Sequence, residues 1–136
     1  MTSHGAVHGV EWGETDAGAI VFYPNYFRWF DRGTHEFFRE LGCPISGILE
    51  RGFIVPIIEA HGRFMAALVY EDELYITSEC VEVRTRAFRI EHRVTRGRRS
   101  VCEGYEVRIW ARAVGEGLEA LAIPEDVRAL LAPGGT

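Results

Sequence analysis

The amino-acid sequence predicts an α+β fold in which one long helix packs on a curved antiparallel sheet. Residues 25–41 carry a broad apolar face at helical spacing. Several later segments alternate apolar and polar residues, the period of half-buried strands. Because so apolar a helix must be covered by a sheet, the two form packed layers. A short helix over residues 124–131 is expected to close the chain.

Length and composition indicate one domain over residues 1–136. A chain of 136 residues is long enough for its own core, and 47% hydrophobic with 26% charged residues is ordinary for a globular protein. The net charge of −5 argues against nucleic-acid partners. No apolar run has the length of a membrane span, and residues 1–8 lack the hydrophobic block of a signal peptide. We therefore expect a cytoplasmic protein without membrane association.

The cysteines and histidines show no metal-ligand spacing. Cys43, Cys80 and Cys102 are widely separated and form no Cys-x-x-Cys pair, which predicts buried free thiols. His4 and His8 lie in a glycine-containing leader that we expect to be frayed. The sequence thus predicts neither a metal nor an organic cofactor.

A short strand over residues 7–12 leads into a turn that carries Asp16. Asp is a common turn residue, which is the structural explanation for Asp16. Pro24 fits the first position of the following helix, whereas Tyr23 at the cap cannot bond the first-turn amides as Ser or Asp would. Those amides would be free for a ligand oxygen in the positive field of the helix dipole. A carboxylate beside such donors has the two parts that acyl transfer needs.

The helix predicted over residues 25–41 ends at Gly42, a usual helix terminator. Asp31 lies at the edge of its aromatic face. The carboxylate either pairs with Arg28 or His35 within the helix, or accepts a hydrogen bond from a polar group of a ligand.

Extended segments dominate the rest of the chain. They are residues 53–64, an edge or bulged strand interrupted by Pro56, then residues 74–80, 87–95 and 101–114. His92 shares an apolar strand face, which predicts a satisfied core histidine. In the last strand, Tyr105, Val107, Ile109 and Ala111 are predicted to face inward, and Glu106, Arg108, Trp110 and Arg112 outward. Turns are expected at residues 96–99 and 115–117.

Two further features of the surface point to partners. Trp29 on the polar helix side and Trp110 are expected to stay open in a monomer, so we expect oligomerisation. All fifteen basic residues are arginine, and seven of them fall within residues 84–99. A solvated strand face explains this cluster; an anion site is the alternative, because Arg offers a bidentate fork to phosphate.

A resemblance to a known family lies in the stretch around Asp16 and the helix start. The matching residues are Glu14-Thr15-Asp16, Val21-Phe22-Tyr23-Pro24-Asn25-Tyr26 and Arg28-Trp29-Phe30-Asp31, with looser matches at Glu50-Arg51-Gly52, Pro56-Ile57 and Arg84-Thr85-Arg86. The chain resembles the 4-hydroxybenzoyl-CoA thioesterase family of hot-dog-fold acyl-CoA hydrolases. The resemblance implies a hot-dog fold and hydrolysis of an aromatic acyl-CoA to the free acid and CoA.

The resemblance also implies roles for individual residues. The residue matched by Asp16 attacks the thioester carbonyl or activates water, and the backbone N–H matched by Tyr23 polarises that carbonyl. Asp31 matches a position near an aryl hydroxyl group. Arg84 and Arg86 match basic residues that contact the CoA phosphates.

Phe22 and Phe27 are expected to shape a flat acyl pocket. The family implies a homodimer or homotetramer with sites at subunit interfaces. One departure concerns the turn: Gly18-Ala19 stands where the family reads Asp-x-Ala-Gly or Asp-Ala-Gly-Gly. Ala19 adds a Cβ there, so we expect the turn, and hence the reach of Asp16, to differ.

Two other functions fit the same residues. A thioesterase for acyl-carrier-protein substrates would need a surface for the carrier helix and no nucleotide clamp. A non-catalytic acyl-CoA-binding protein could dispense with Asp16. A dehydratase on this scaffold is disfavoured, because the sequence shows no convincing pairing of a histidine with an acid.

Overall fold

The long helix and the sheet form two layers, as the sequence predicts. The computed structural model describes residues 3–132, so the ends of the predicted domain, residues 1–2 and 133–136, lie outside the described part. The helices are α1 (Pro24–Glu40), α2 (Ile45–Glu50) and α3 (Glu125–Leu131), with a 3-10 turn at Trp12–Glu14. The strands are β1 (Ser3–Gly9), β2 (Ile57–Phe64), β3 (Glu73–Val83), β4 (Ala87–Arg96), β5 (Arg99–Ile109), β6 (Ala111–Val114) and β7 (Gly117–Ala120). No helix in residues 3–132 is long and apolar enough to cross a membrane.

Five strands form one antiparallel sheet in the order β1-β3-β4-β5-β2, and β6 with β7 forms a separate hairpin. β2 is an edge strand with an irregular register between Ile57 and Glu59, just after Pro56. This confirms the predicted edge or bulged strand, although regular pairing begins at Ile57 and not at residue 53. The edge exposes the hydrophobic side chains of Ile57, Ile58 and Phe64.

Helix α1 lies across the sheet and divides the core into two clusters. The first half of the helix contributes Tyr26, Trp29 and Phe30 to one cluster, and the second half contributes Phe37 and Phe38 to the other. The predicted ends are confirmed to within one residue: Pro24 opens the helix and Gly42, at φ 79°, follows it.

The close contact between the middle of α1 and strand β3 depends on Gly33. A Cβ on Gly33 would lie 2.5 Å from Ser78 Oγ, which belongs to the sheet. Any larger residue would therefore push the helix away from β3.

The N-terminal strand differs from its prediction. β1 covers residues 3–9 and not 7–12, and it contains both histidines that were expected in a frayed leader. His4 Nε2 lies 3.2 Å from Glu36 Oε2, and His8 Nε2 lies 2.9 Å from Glu14 Oε1. These contacts to side chains of distant residues hold a segment whose own sequence has little strand character.

The prediction for β5 and the residues after it is wrong at three positions. Glu106 and Arg108 of β5, and Trp110 just after it, are buried, and Trp110 is 0% exposed. Val107 and Ala111 are buried and Arg112 is exposed, as predicted. The prediction places charged side chains in solvent because burial of an unpaired charge is unfavourable. Here the carboxylate of Glu106 and the guanidinium of Arg108 pair with each other, so both can be buried. Trp29 is also buried, at 3% exposure. The expectation that the two tryptophans stay open in a monomer is therefore wrong.

The three cysteines are free thiols, as predicted. Cys80 and Cys102 are buried and Cys43 is half-buried. Burial raises the pKa of the Cys80 thiol to about 11 and that of the Cys102 thiol to about 12.

Candidate active site

Asp16 lies in a tight hairpin loop that precedes α1. The Asp16 N–H donates to the Ile20 carbonyl at 3.0 Å, and the Ala19 N–H donates to the Asp16 carbonyl at 2.9 Å. The Asp16 side chain also stabilises the turn, since Oδ1 accepts the Gly18 N–H at 2.8 Å. The structure thus bears out the turn predicted at Asp16.

The carboxylate of Asp16 remains available for chemistry. The side chain is exposed, and within residues 3–132 it forms no ion pair. Only Oδ1 has a hydrogen-bond partner in this part of the chain, so Oδ2 is unengaged. The turn fixes the orientation of the carboxylate without occupying both of its oxygens.

Ala19 adopts the left-handed conformation, with φ 62°. This third position of a three-residue hairpin loop usually takes glycine, because the conformation costs a residue with a Cβ about 1–2 kcal/mol. The glycine of the Gly18-Ala19 pair stands one position earlier. The turn nevertheless closes on Asp16 through both backbone hydrogen bonds.

Within the described part of the chain, the start of α1 presents one free donor. Tyr23 is the N-cap residue, no side chain of residues 3–132 caps the helix, and Pro24 occupies the first helical position. The Asn25 N–H donates to the Phe22 carbonyl at 3.0 Å and the Tyr26 N–H to the Tyr23 carbonyl at 3.1 Å. The prediction that several first-turn amides are free is therefore too broad. Of these amides, the Tyr23 N–H is the one with no acceptor among the described residues.

Glu14 connects the loop to the helix, a role that sequence reasoning missed. Its carbonyl accepts the Phe22 N–H at 2.9 Å, and its carboxylate accepts Trp29 Nε1–H at 2.7 Å. Burial acts to raise the pKa of Glu14, but hydrogen bonds from the Glu11 N–H, His8 and Trp29 lower it overall. An ionised Glu14 thus anchors the hairpin to α1 and fixes where Tyr23 lies relative to Asp16. The sole signal in the sequence was its position two residues before Asp16.

An apolar groove of about 380 Å³ runs beside this helix start. Its walls are formed by the hairpin, the first turn of α1 and the segment that follows β2: Ile20, Val21, Tyr23, Tyr26, Phe64, Met65, Ala66, Ala67 and Leu68. The Val21 N–H donates to the Leu68 carbonyl at 2.9 Å and joins two of these walls. The groove has the size and the apolar lining of a small-molecule site.

Neither of the predicted acyl-pocket residues, Phe22 and Phe27, is among the described residues that line this groove. Phe22 is exposed, with its ring 5.5 Å from that of Tyr23. The ring of Phe27 is 6.2 Å from that of Phe64, which does line the groove. Phe27 also lines a second cleft, together with Asp31.

Asp31 is held by two basic groups. Its Oδ1 accepts Arg108 Nη2–H at 2.8 Å and lies 3.6 Å from His35 Nε2. The predicted pairing with His35 is confirmed, and Arg108 is a partner that the sequence did not indicate. The side chain is still 52% exposed, so one face of the carboxylate is open.

Arg84 and Arg86 lie on the turn between β3 and β4. Arg84 is paired with Glu82 at 3.0 Å, and Arg86 has no ion-pair partner within residues 3–132. The adjoining residues Val83 and Phe88 belong to the core cluster of the second half of α1. Because a helix of 17 residues is about 25 Å long, this turn is far from the Asp16 end of the same chain.

A second set of acid–base residues is buried between α1 and the sheet. His92 Nδ1 lies 2.8 Å from Ser78 Oγ, and His92 Nε2 lies 3.5 Å from Glu106 Oε1. This confirms His92 as a satisfied core histidine. His92 and Glu106 form one of the histidine–acid pairs that the sequence did not reveal, but both side chains are no more than 2% exposed and cannot reach a substrate.

The chain matches a known protein family over most of its length. Residues 10–131 match the family described as the thioesterase-like superfamily. The chain is similar to 4-hydroxybenzoyl-CoA thioesterase from Pseudomonas sp. (strain CBS-3), with 32% identity over 125 residues, which cover 86% of this chain and 89% of that protein.

Two solved structures show the same architecture. One is gentisyl-coenzyme A thioesterase, with a TM-score of 0.86 and 35% identity, covering 95% of this chain and 100% of the other. The second is an aspartate-to-asparagine mutant of 4-hydroxybenzoyl CoA thioesterase complexed with 4-hydroxybenzoyl CoA, with a TM-score of 0.88 and 31% identity, covering 97% of this chain and 100% of the other. These similarities confirm the predicted hot-dog fold.

Proposed function

This chain belongs to the thioesterase-like superfamily and is an acyl-CoA thioester hydrolase, and from that premise we propose that it hydrolyses an aromatic acyl-CoA, of benzoyl or hydroxybenzoyl type, to the free acid and CoA. One observation carries the proposal. Among residues 3–132, one oxygen of the exposed Asp16 carboxylate has no partner, and the Tyr23 N–H at the helix start that follows the hairpin has no acceptor and lies at an apolar groove.

The two groups would divide the chemistry between them. The Tyr23 N–H binds the thioester carbonyl oxygen and stabilises the negative charge that develops on it, which for one such donor is worth about 3 kcal/mol. Asp16 then acts in one of two ways. As nucleophile, its oxygen bonds to the carbonyl carbon, the C–S bond breaks, and water hydrolyses the resulting anhydride. As general base, it takes a proton from the water that attacks the carbonyl carbon; the C–S bond of the tetrahedral intermediate then breaks, and the proton passes to the departing CoA thiolate.

The distance between Asp16 and the two arginines favours a site built from two subunits. β2 is an exposed edge strand that runs from Ile57, near the arginine end of the fold, to Phe64, beside the helix start. Antiparallel pairing with β2 of a second copy would bring the arginine end of one subunit to the Asp16 end of the other. We therefore propose a homodimer, or a homotetramer of two such dimers, in which Arg84 and Arg86 bind the CoA phosphates of a substrate cleaved by the partner.

The open carboxylate face of Asp31 supports a hydroxylated aryl group as the acyl portion. Both known structures described above have names that specify hydroxylated aromatic CoA esters. An aryl hydroxyl can donate to a carboxylate oxygen, and Arg108 holds the Asp31 carboxylate in place by a contact of 2.8 Å. The reaction as proposed requires neither a metal nor an organic cofactor, since CoA is part of the substrate.

The substitution Asp16→Asn tests the mechanism. We expect turnover of 4-hydroxybenzoyl-CoA to fall by about a hundredfold to ten-thousandfold. Turnover is measured as the release of free thiol. Binding of the substrate, measured by calorimetry with the inactive variant, should persist. Glu40→Gln is the matched control, because it neutralises another exposed carboxylate at the far end of α1.

Unchanged turnover in Asp16→Asn would refute the role of Asp16. The alternatives have their own outcomes. Binding of CoA esters by the unmodified protein without any product would identify a non-catalytic binding protein. Activity on acyl-carrier-protein thioesters that does not depend on Arg84 and Arg86 would identify a carrier-protein thioesterase.

A further inference from the structure

The turn that carries Arg84 and Arg86 is tied to the C-terminal part of the chain through its backbone. The Arg128 side chain of α3 donates from Nη2 to the carbonyls of Arg84 and Thr85, at 2.6 Å and 3.1 Å. The Thr85 carbonyl also accepts the Ile123 N–H at 2.9 Å.

The third carbonyl of the turn is satisfied as well. The Arg86 carbonyl accepts the Trp110 N–H at 2.8 Å, and the Arg84 N–H donates to the Ala87 carbonyl at 2.7 Å. Successive carbonyls of residues 84–86 are thus all engaged by the protein, while the side chains of Arg84 and Arg86 are exposed. A turn with its carbonyls held in this way keeps fixed the directions in which its side chains leave the backbone.

Of these ties, the Arg128 contacts are the ones made by a side chain. Two of the three carbonyls bind backbone N–H groups, which belong to the chain whatever the side chains are. Arg128 contributes a planar guanidinium, whose charged hydrogen bonds are stronger than those between neutral groups. The positive charge of Arg128 thus lies against the backbone of the turn, and residues 84–86 contain no carboxylate with which it could pair.

We propose that Arg128 is a positioning residue for the CoA-binding turn: it holds the backbone of residues 84–86 so that Arg84 and Arg86 both point at the phosphates of the substrate. This inference rests on the proposed function of the two arginines. Arg86 has no competing ion-pair partner among residues 3–132, whereas Arg84 is shared with Glu82, so a fixed turn matters most for Arg86.

The test compares two thioesters of one acid, 4-hydroxybenzoyl-CoA and its N-acetylcysteamine analogue, which lacks the nucleotide and its phosphates. For Arg128→Met we expect KM for the CoA ester to rise by about fivefold to tenfold with little change in kcat, since each lost charged hydrogen bond to the turn loosens phosphate binding. Activity on the N-acetylcysteamine ester should be unchanged. A purely structural role would reduce activity on both substrates equally and would overturn the proposal.

Two further variants define how Arg128 acts. Arg128→Lys keeps the charge but loses the planar fork, so it should behave like Arg128→Met. Full recovery of KM with Lys would mean direct attraction of the phosphates and would refute positioning. Arg51→Met is the matched control, because Arg51 pairs with Asp126 of the same helix at 3.0 Å without touching the turn. Arg51→Met should leave KM for the CoA ester unchanged. An equal rise in KM would show that loosening α3 is enough to weaken substrate binding, and would refute the positioning role of the Arg128 contacts.

The substitution Arg84→Met combined with Arg86→Met separates this inference from the proposed function. If the double variant leaves KM for the CoA ester unchanged, the proposed phosphate contacts are wrong, and the positioning role is refuted with them. If it raises KM while Arg128→Met does not, only the positioning role is refuted.

Discussion

The buried carboxylate of Glu106 offers a sharp test of how the helix is held on the sheet. Its Oε1 accepts the Thr34 hydroxyl at 2.5 Å and Arg108 Nη2–H at 3.1 Å, with His92 Nε2 at 3.5 Å. The side chain is 2% exposed. Glu106→Gln keeps the shape of this side chain and removes its charge, so it isolates the electrostatic part of the network.

The expected loss in free energy of unfolding is about 2–3 kcal/mol. Breaking a buried ion pair from one side costs about 3–5 kcal/mol, because the remaining charge is left without a partner. The cost is smaller here, since Arg108 also donates to the Val55 carbonyl at 3.1 Å and to Asp31 at 2.8 Å. Gln also retains one acceptor oxygen for Thr34.

The pH dependence provides a second measurement. Burial acts to raise the pKa of Glu106, but the contacts from His92, Arg108 and Thr34 lower it below the ordinary value of 4.5. A lowered pKa means that the ionised carboxylate stabilises the folded state above pH 4.5, and that this contribution is lost as the pH falls through the folded-state pKa. The difference between the unmodified protein and Glu106→Gln should therefore be largest near neutral pH and shrink in acid.

Urea unfolding at several pH values, at one fixed protomer concentration, measures this difference. Glu91→Gln is the control, because Glu91 is an exposed carboxylate on β4 whose pairing with Arg89 is 3.4 Å long. It should change stability by less than about 0.5 kcal/mol. Equal stability of Glu106→Gln and the unmodified protein, or a difference independent of pH, would refute the reasoning.

Three other substitutions test features of the fold and site. Gly33→Ala should destabilise the protein by about 1–3 kcal/mol in urea unfolding, because the new Cβ would lie 2.5 Å from Ser78 Oγ; no loss would mean that the helix can shift freely. Ala19→Gly should raise stability by about 0.5 kcal/mol, as relief of the left-handed strain exceeds the entropy cost of glycine; a fall would contradict this assignment. Tyr23→Pro removes the Tyr23 N–H, and the φ of −56° at this position is compatible with proline. It should lower kcat about a hundredfold, with thermal unfolding as the check that the fold is kept. A normal kcat would exclude that amide as the oxyanion donor.

The sequence predicted the parts of the fold that depend on local signals. Pro24 and Gly42 mark the ends of α1 through backbone chemistry that does not depend on packing. The apolar period of β4 correctly placed His92 in the core. The turn at Asp16 followed from its neighbouring glycine, and the lack of a capping side chain at Tyr23 was evident from its chemistry.

The features that the sequence did not reveal depend on pairing between distant residues. Glu106 and Arg108 are neighbours on one strand face and pair with each other, but the contacts that complete their burial come from elsewhere in the chain. Thr34 and Asp31 of α1, His92 of β4 and the Val55 carbonyl supply them. Glu14 reads as a surface acid until Trp29 is brought to it from the helix. The sequence predicts no element at the short helix α2, which is stabilised by burying Ile45 and Ile48 against the same core.

The protonated state of the Cys80 and Cys102 thiols has a consequence for the reaction proposed for this enzyme. Each turnover would release coenzyme A, itself a thiol, beside the protein. Exchange with oxidised coenzyme A requires an accessible thiolate, and burial with a raised pKa keeps both side chains in the unreactive form. The fold thereby protects a cysteine-containing catalyst from mixed-disulfide formation with the disulfide of its own product.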